Sequence, residues 1–212
     1  MPKGSEELTN SRKEEIINAC ALLYEDHGFK DISIRDIGAK TSFTRTSVYN
    51  YFQTKEEIFL ALLQREYEAW TSDLKKIMSE NDSLSTESFS DELSKSLEKR
   101  GSMLKLMSMN LYDMEGNSRI ENLVAFKIVY ADAMRILSCC LEKFFPKMSA
   151  NDIKEFIYAL FPFMFGVYPY TCATQKQKEA MELAHIEYPR YSVYEITNSF
   201  VTKMLAPFAA RS

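Results

Sequence analysis

Apolar side chains recur at helical spacing along most of the chain, which places them on one face of an α-helix. Long helices are predicted over residues 11–27, 55–78, 118–144 and 191–205, shorter ones over 91–100, 102–114 and 175–183, and one more opening at Ser149. No stretch alternates apolar and polar residues in the manner of a strand. The predicted fold class is therefore all-α, with residues 1–10 as a frayed tail.

Breaks in this pattern separate the helices. Residues 79–90 are rich in serine and acidic side chains and predict a loop, and residues 116–118 have the composition of a turn. The stretch LFPFMFGVYPYT is aromatic and uncharged, and it contains Pro162 and Pro169. Because a proline inside a helix removes a backbone hydrogen bond, we expect this helix to bend at Pro162 and to end near Pro169.

Residues 33–55 depart from the long-helix pattern and predict two short helices joined by a tight turn at Thr41-Ser42, the second covering residues 45–51. The predicted caps are Ser33 with Asp36, Thr44, and Thr54 with Glu57 as a full capping box for the next helix. Two compact helices this close together, the second opening with hydroxyls and an arginine, are typical of a helix-turn-helix that reads the major groove of DNA.

Composition and charge narrow the choice of function. The chain has 212 residues, a net charge of −4, six glycines, two histidines and four cysteines. Because no glycine-rich phosphate loop, nucleophile elbow or metal-ligand spacing occurs, an enzyme, a metal site and a cofactor are not expected. Residues 35–55 contain four basic side chains and one acidic side chain, a local charge of +3 that suits contact with phosphates.

The chain offers no sequence sign of a membrane partner. Its N-terminus is polar, and it lacks a run of about 18 apolar residues, the length of a spanning helix. We therefore expect a cytoplasmic protein.

Several blocks of sequence occur in order between residues 12 and 63, namely HGF, SIRDIGAK, TRTSVYNYF and KEEIFLALL. This region resembles the DNA-binding region of the TetR (tetracycline-repressor-like) family of bacterial transcriptional regulators. Two positions depart from the family pattern: Ser42 stands where the turn usually has glycine, and Thr46 where the second helix often has it. We expect Ser42 to take a left-handed or bridge conformation at some cost in free energy.

The resemblance implies a three-helix head over residues 1–56 and a larger helical ligand-binding and dimerisation body over residues 57–212. It implies a homodimer that reads a palindromic operator in double-stranded DNA, usually as a repressor released by a small apolar or aromatic effector. The residues themselves do not decide whether such a regulator represses or activates transcription. The acidic net charge and the two departures keep one alternative open, an all-α protein-interaction module that does not read DNA.

Candidate DNA contacts are the polar side chains in and around the two short helices. They are Arg35, Thr44, Arg45, Thr46, Ser47, Tyr49, Asn50 and Lys55. Arg45 is the favoured base reader, because a guanidinium matches the O6 and N7 acceptors of guanine. The alternatives are a solvated surface charge for Arg45 and packing against the first helix for Tyr49.

The body supplies two further sets of candidates. An adaptable cavity for an apolar or planar ligand is predicted from Trp70, Met103, Met107, Tyr112, Tyr130 and Met134. The dimer interface is predicted from the last two long helices at Phe161, Phe165, Tyr168, Phe200 and Met204. For both sets the alternative is the core of a single chain.

Overall fold

The computed structural model describes residues 3–187 and 190–209, with the backbone alone described at residues 3–6 and at Arg45. Its helices are α1 Lys3–Asp26, α2 Ile34–Gly38, α3 Arg45–Val48, α4 Lys55–Glu80, α5 Thr86–Glu98, α6 Gly101–Gly116, α7 Ile120–Phe144, α8 Ala150–Thr171, α9 Gln175–Leu183 and α10 Val193–Leu205. Single 3-10 turns cover Phe29–Asp31 and Ala206–Phe208. These described ranges contain no strand, so the predicted all-α fold class is confirmed.

Two predicted helix starts are wrong by several residues. α1 begins at Lys3 rather than at Ser11, because residues 5–10 contain neither proline nor glycine to stop the helix. α5 begins at Thr86, inside the segment predicted as a loop, since the Ser85 hydroxyl accepts the N–H of Ser88 and caps the helix.

The boundary between α6 and α7 also differs from its prediction. Ser118, with which the predicted helix over residues 118–144 begins, instead donates its hydroxyl to the carbonyl of Met114 in the last turn of α6, at 2.6 Å. α7 begins two residues later, at Ile120. The segment between them, Asn117, Ser118 and Arg119, is called the α6–α7 corner below.

α8 continues through both of its prolines and ends at Thr171. Ser149, at which this helix was predicted to open, forms a capping box with Asp152, whereas the bend at Pro162 stays a prediction. Among the described helices none is by itself long and apolar enough to span a membrane; α8 and α9, bent by 74° where they meet, pass that test of length and composition only as a pair.

The helices form two compact units. Unit 1 contains the residues up to Glu66 together with Met109–Tyr130, and unit 2 contains Tyr67–Ser108 together with the residues from Ala131 onward. α4, α6 and α7 each contribute residues to both units. The division into a head and a body at residue 56 stays a prediction.

The core of unit 1 is aromatic at its centre. The ring of Phe59 lies 4.7 Å from that of Phe29 and 5.2 Å from that of Tyr24, measured between centroids. Ile37 of α2 and Val48 of α3 are fully buried. Burying an apolar side chain of this size contributes about 1.5–3 kcal/mol, so these contacts fix both short helices to the unit.

The core of unit 2 is organised around Trp70 of α4. Its indole N–H donates to the Ser96 hydroxyl at 3.1 Å, and its ring lies 6.0 Å from that of Phe161 and 6.3 Å from that of Tyr67. The Tyr67 hydroxyl in turn lies 3.3 Å from the sulfur of Met107. This cluster is buried, and the polar groups of its two largest rings have partners inside it.

Candidate nucleic-acid interface

α2 is fixed by local hydrogen bonds in the predicted way. The Ser33 hydroxyl accepts the N–H of Asp36 at 3.3 Å, and the Asp36 carboxylate accepts the N–H of Ser33 at 3.0 Å. The hydrogen bond from the Ser33 hydroxyl, with a smaller contribution from its N–H, lowers the pKa of the Asp36 carboxyl. The predicted capping pair is confirmed.

The turn between α2 and α3 is held by Glu15 of α1. The two carboxylate oxygens of Glu15 accept the N–H of Ser42 and, at 3.0 Å, its hydroxyl. Among the described non-glycine residues only His185 has a positive φ, so Ser42 does not take the left-handed conformation, whereas the bridge conformation expected as its alternative stays a prediction. Glu15 therefore stabilises a turn that has no glycine, and sequence reasoning missed this residue because its partner lies 27 positions away.

α3 covers four residues, Arg45–Val48, and residues 49–51 continue it as a turn. It is shorter than the predicted helix over 45–51. Thr44 occupies the N-cap position, but its hydroxyl lies 3.0 Å from that of Ser47 instead of accepting a backbone N–H. The predicted side-chain cap by Thr44 is therefore wrong.

The other candidate DNA contacts lie mostly on the surface. Arg35, Thr44, Thr46, Tyr49 and Asn50 are exposed, and Ser47 is half-buried. Tyr49 is 45% exposed beside Val48, which is fully buried. The side chain of Arg45 lies outside the described part of the structure. Along α3, one side thus faces the core while polar side chains occupy the other.

Lys55 is committed to backbone contacts at the start of α4. Its ammonium donates to the carbonyl of Phe29 at 2.8 Å and to that of Ile32 at 3.1 Å, and it lies 4.4 Å from the centroid of the Phe29 ring. Two of the three ammonium donors are therefore taken by carbonyls. The contact of Lys55 with a phosphate stays a prediction. The observed hydrogen bonds connect the start of α4 to the segment before α2, at Phe29 and Ile32.

The capping box predicted for Thr54 and Glu57 is only half formed. The Thr54 hydroxyl accepts the N–H of Glu57 at 3.2 Å, which confirms one half of the predicted capping box. The other half is wrong, because the Glu57 carboxylate accepts the N–H of Gln53 at 2.7 Å and pairs with Arg119 at 2.6 Å. Glu57 is only 1% exposed.

Two opposing effects act on the pKa of this buried carboxyl. Burial raises the pKa of Glu57, whereas hydrogen bonds from the Arg119 guanidinium and from the N–H groups of Gln53 and Arg119 lower it. The hydrogen bonds prevail, and the pKa lies below the ordinary value of 4.5.

Unit 1 is expected to lose stability in acid because of Glu57. A carboxyl whose pKa is lower in the folded than in the unfolded state stabilises the fold above the unfolded pKa, and this contribution disappears as the pH falls through the folded pKa. The loss should therefore begin near pH 4.5 and deepen below it. Thermal unfolding followed by circular dichroism in a pH series measures it, with Glu57→Gln as the variant that does not titrate. Equal pH dependence of the two proteins would contradict the assignment.

The structure does not bring the six candidate effector residues into one unit. Trp70, Met103 and Met107 are buried and Met134 is half-buried in unit 2, whereas Tyr112 and Tyr130 belong to unit 1. Tyr112 is 92% exposed. A cavity of about 440 Å³ in unit 2 is lined by other residues, among them Phe144, Phe145 and Phe208.

The candidate dimer residues all lie in unit 2 with different exposure. Phe161 is buried against Trp70, whereas Phe165, Tyr168, Phe200 and Met204 are half-buried. The rings of Phe163 and Phe200 stack at 4.2 Å with an interplanar angle of 5°, which joins α8 to α10. The half-buried residues are thus carried by two helices that pack together.

Comparison with known proteins places both parts of the chain in one family. Residues 16–62 match the model described as bacterial regulatory proteins, tetR family, and residues 64–206 match tetracyclin repressor-like, C-terminal domain. The uncharacterised HTH-type transcriptional regulator YfiR of Bacillus subtilis (strain 168) is 30% identical over 98 residues, 45% of this chain. The chain matches about half of the length of that relative, 47%.

Solved structures with the same fold cover nearly the whole chain. The fatty acid degradation regulator FadR from Bacillus halodurans is 15% identical with a TM-score of 0.59, covering 92% of this chain and 94% of its own. FadR from Bacillus subtilis, solved in complex with stearoyl-CoA, is 13% identical with a TM-score of 0.60, covering 93% and 99%. A TetR-family regulator from Mesorhizobium loti MAFF303099 is 16% identical with a TM-score of 0.59, covering 95% and 98%. At these identities the likeness concerns the fold.

Proposed function

The chain belongs to the TetR family of bacterial regulatory proteins, and from this premise we propose that it is a ligand-responsive transcriptional repressor that binds a palindromic operator as a homodimer. The proposal that the protein binds DNA rests on the arrangement of α2 and α3. Ile37 and Val48 anchor these helices in the core, while Arg35, Tyr49 and Asn50 stay exposed beside them. A helix pair with one buried side and one polar side is what a reader of the major groove needs.

The dimer part of the proposal follows from the size of the recognition surface. A single α3 of four residues reaches few base pairs, so specific binding needs two copies on two half-sites. The half-buried aromatic and methionine side chains of α8 and α10, with the Phe163–Phe200 stack between them, support these helices as the dimer surface. Aromatic and methionine residues are enriched in such interfaces.

The effector part of the proposal rests on the interior of unit 2. Trp70, Met103 and Met107 give this unit an adaptable apolar interior that suits a small apolar or aromatic molecule. The FadR structure solved with stearoyl-CoA supports the idea that this fold can hold a ligand with a long apolar chain. An effector that binds better to a conformation unsuited to the operator weakens DNA binding, and about 1.4 kcal/mol of coupling free energy suffices for a tenfold change in affinity.

We also propose that the protein acts in the cytoplasm and has no catalytic activity.

Specific retardation of one DNA sequence is the expected result of a gel-shift experiment. The purified full chain first selects a duplex from a random-sequence library, and its affinity for that duplex and for a scrambled duplex is then measured across a salt series. The logarithm of the affinity should fall linearly with the logarithm of the salt concentration, by about 0.9 for each phosphate neutralised. No selection, or equal binding to both duplexes, would favour the interaction-module alternative.

A further inference from the structure

The segment that follows the recognition helix is held by side chains on two sides. On one side, Lys55 donates to the carbonyls of Phe29 and Ile32 at 2.8 and 3.1 Å. On the other side, the Thr54 hydroxyl donates to the carbonyl of Asn117, in the α6–α7 corner, at 3.0 Å. Residues 51–57 are therefore fixed to parts of the chain that lie far from them in sequence.

The strongest of these contacts joins Glu57 to Arg119. One carboxylate oxygen of Glu57 accepts the backbone N–H of Arg119 at 3.1 Å and its Nε at 2.6 Å. The other oxygen accepts Nη2 of Arg119 at 3.0 Å and the backbone N–H of Gln53 at 2.7 Å. Because the fork of a guanidinium matches a carboxylate with two parallel bonds, this pair fixes an orientation as well as a distance.

Arg119 also reaches the end of the recognition segment directly. Its Nη2 donates to the carbonyl of Tyr51 at 3.4 Å, and its Nη1 lies 3.6 Å from the carboxylate of Glu121. The Arg119 side chain is only 35% exposed. Nε and Nη2 of the guanidinium therefore donate hydrogen bonds within unit 1, and Nη1 faces a carboxylate, which suits a structural anchor better than a DNA contact.

α3 depends on such anchors because it is short. A helix of four residues has too few internal hydrogen bonds to hold its own direction, so its packing partners decide how it lies. Val48 and Phe52 anchor it through the core. The backbone that follows is anchored through Tyr51 and Glu57, and both of these meet Arg119.

We infer that Arg119, a residue outside the helix-turn-helix, is a positioning residue for DNA reading that fixes the recognition helix through Glu57 and Tyr51. This inference rests on the proposed function. It makes the α6–α7 corner part of the DNA-reading unit, although the corner lies more than fifty positions after the recognition helix in the sequence.

The expected signature is a selective loss of base reading. Hydrogen bonds to base edges need an accurately placed helix, whereas attraction to phosphates needs only nearby positive charge. In Arg119→Ala, the affinity for the selected duplex should fall about tenfold to a hundredfold, the range of one well-formed base contact. The affinity for the scrambled duplex should change by no more than about threefold, since most of the charge is kept.

The experiment measures dissociation constants of the full chain for the duplex selected by the wild-type protein and for a scrambled duplex, at one salt concentration. Arg119→Lys keeps the charge beside Glu57 but loses the fork, so it should fold and show an intermediate loss of discrimination. Arg135→Ala is the matched control, because Arg135 is an exposed arginine of α7 whose ion pair, among the residues that the structure describes, is the local one with Asp132. Circular dichroism verifies that each variant is folded at the temperature of the measurement.

Each outcome separates the inference from the function on which it rests. If the wild type selects no sequence, the proposed function fails and the inference fails with it. If the wild type prefers the selected duplex over the scrambled one and both Arg119 variants show the same preference as the wild type, the inference fails while the proposed function stands. If Arg119→Ala loses affinity for the selected and the scrambled duplex alike and Arg119→Lys behaves like the wild type, Arg119 supports the fold without positioning the helix, and the inference is again overturned. A loss of affinity for the selected duplex alone, in both variants, supports the inference.

Discussion

Replacing Trp70 with alanine is expected to lower the free energy of unfolding by about 3–5 kcal/mol, a large share of the stability of an ordinary domain. Trp70 is fully buried, packs against Tyr67 and Phe161, and donates its indole N–H to Ser96. The substitution removes these contacts and leaves a cavity where the ring was. Urea unfolding followed by far-ultraviolet circular dichroism measures the loss, because the variant has no tryptophan left for fluorescence.

Trp70→Phe is the matched control for this prediction. Phenylalanine keeps much of the apolar volume but cannot donate to Ser96, so we expect a smaller loss, of about 1–2 kcal/mol. Trp70 was predicted from sequence as a residue that lines an effector cavity, with the core as its alternative. If Trp70→Ala unfolds at the same urea concentration as the wild type, the core role is wrong and the effector role becomes the better explanation.

The presence of the helices was more predictable than the residues at which they begin and end. α4 was predicted over residues 55–78 and covers Lys55–Glu80, and α9 was predicted with its observed bounds, Gln175–Leu183. Such helices repeat an apolar spacing over many residues, so single deviations matter little. The errors lie at helix ends: α1 and α5 begin earlier than predicted, α7 begins later, and α3 is shorter. One or two individual hydrogen bonds can decide such an end.

The candidate site was predictable only in part, because its contacts are of two kinds. The Ser33–Asp36 cap joins neighbours in the sequence, and a local motif predicted it. Glu15 holds the turn from 27 positions away, and Arg119 holds Glu57 from 62 positions away. A single sequence contains no spacing rule for such pairs, and Glu57 even matched a local capping motif that its carboxylate does not complete.

Replacing Arg45 and Tyr49 together with alanine is expected to remove nearly all sequence-specific DNA binding. An arginine–guanine pair contributes about 1–3 kcal/mol of discrimination, and a hydrogen bond from the tyrosine hydroxyl to a phosphate about 1 kcal/mol. Since a homodimer carries every substitution twice, the expected loss is about 4–8 kcal/mol. The fold should survive, because Tyr49 is 45% exposed and the buried anchor Val48 is unchanged.

Fluorescence anisotropy with a labelled copy of the selected duplex measures this loss at a fixed salt concentration. The matched control is Arg135→Ala with Tyr112→Ala, the same pair of residue types at exposed positions of α7 and α6, which lie outside the proposed dimer surface of α8 and α10. Equal loss in the control would mean that general charge or stability, and not base reading by α3, controls binding. Unchanged affinity in the test variant would mean that this chain does not read DNA through α3. A large loss confined to the test variant would assign base reading to α3 and the turn that follows it.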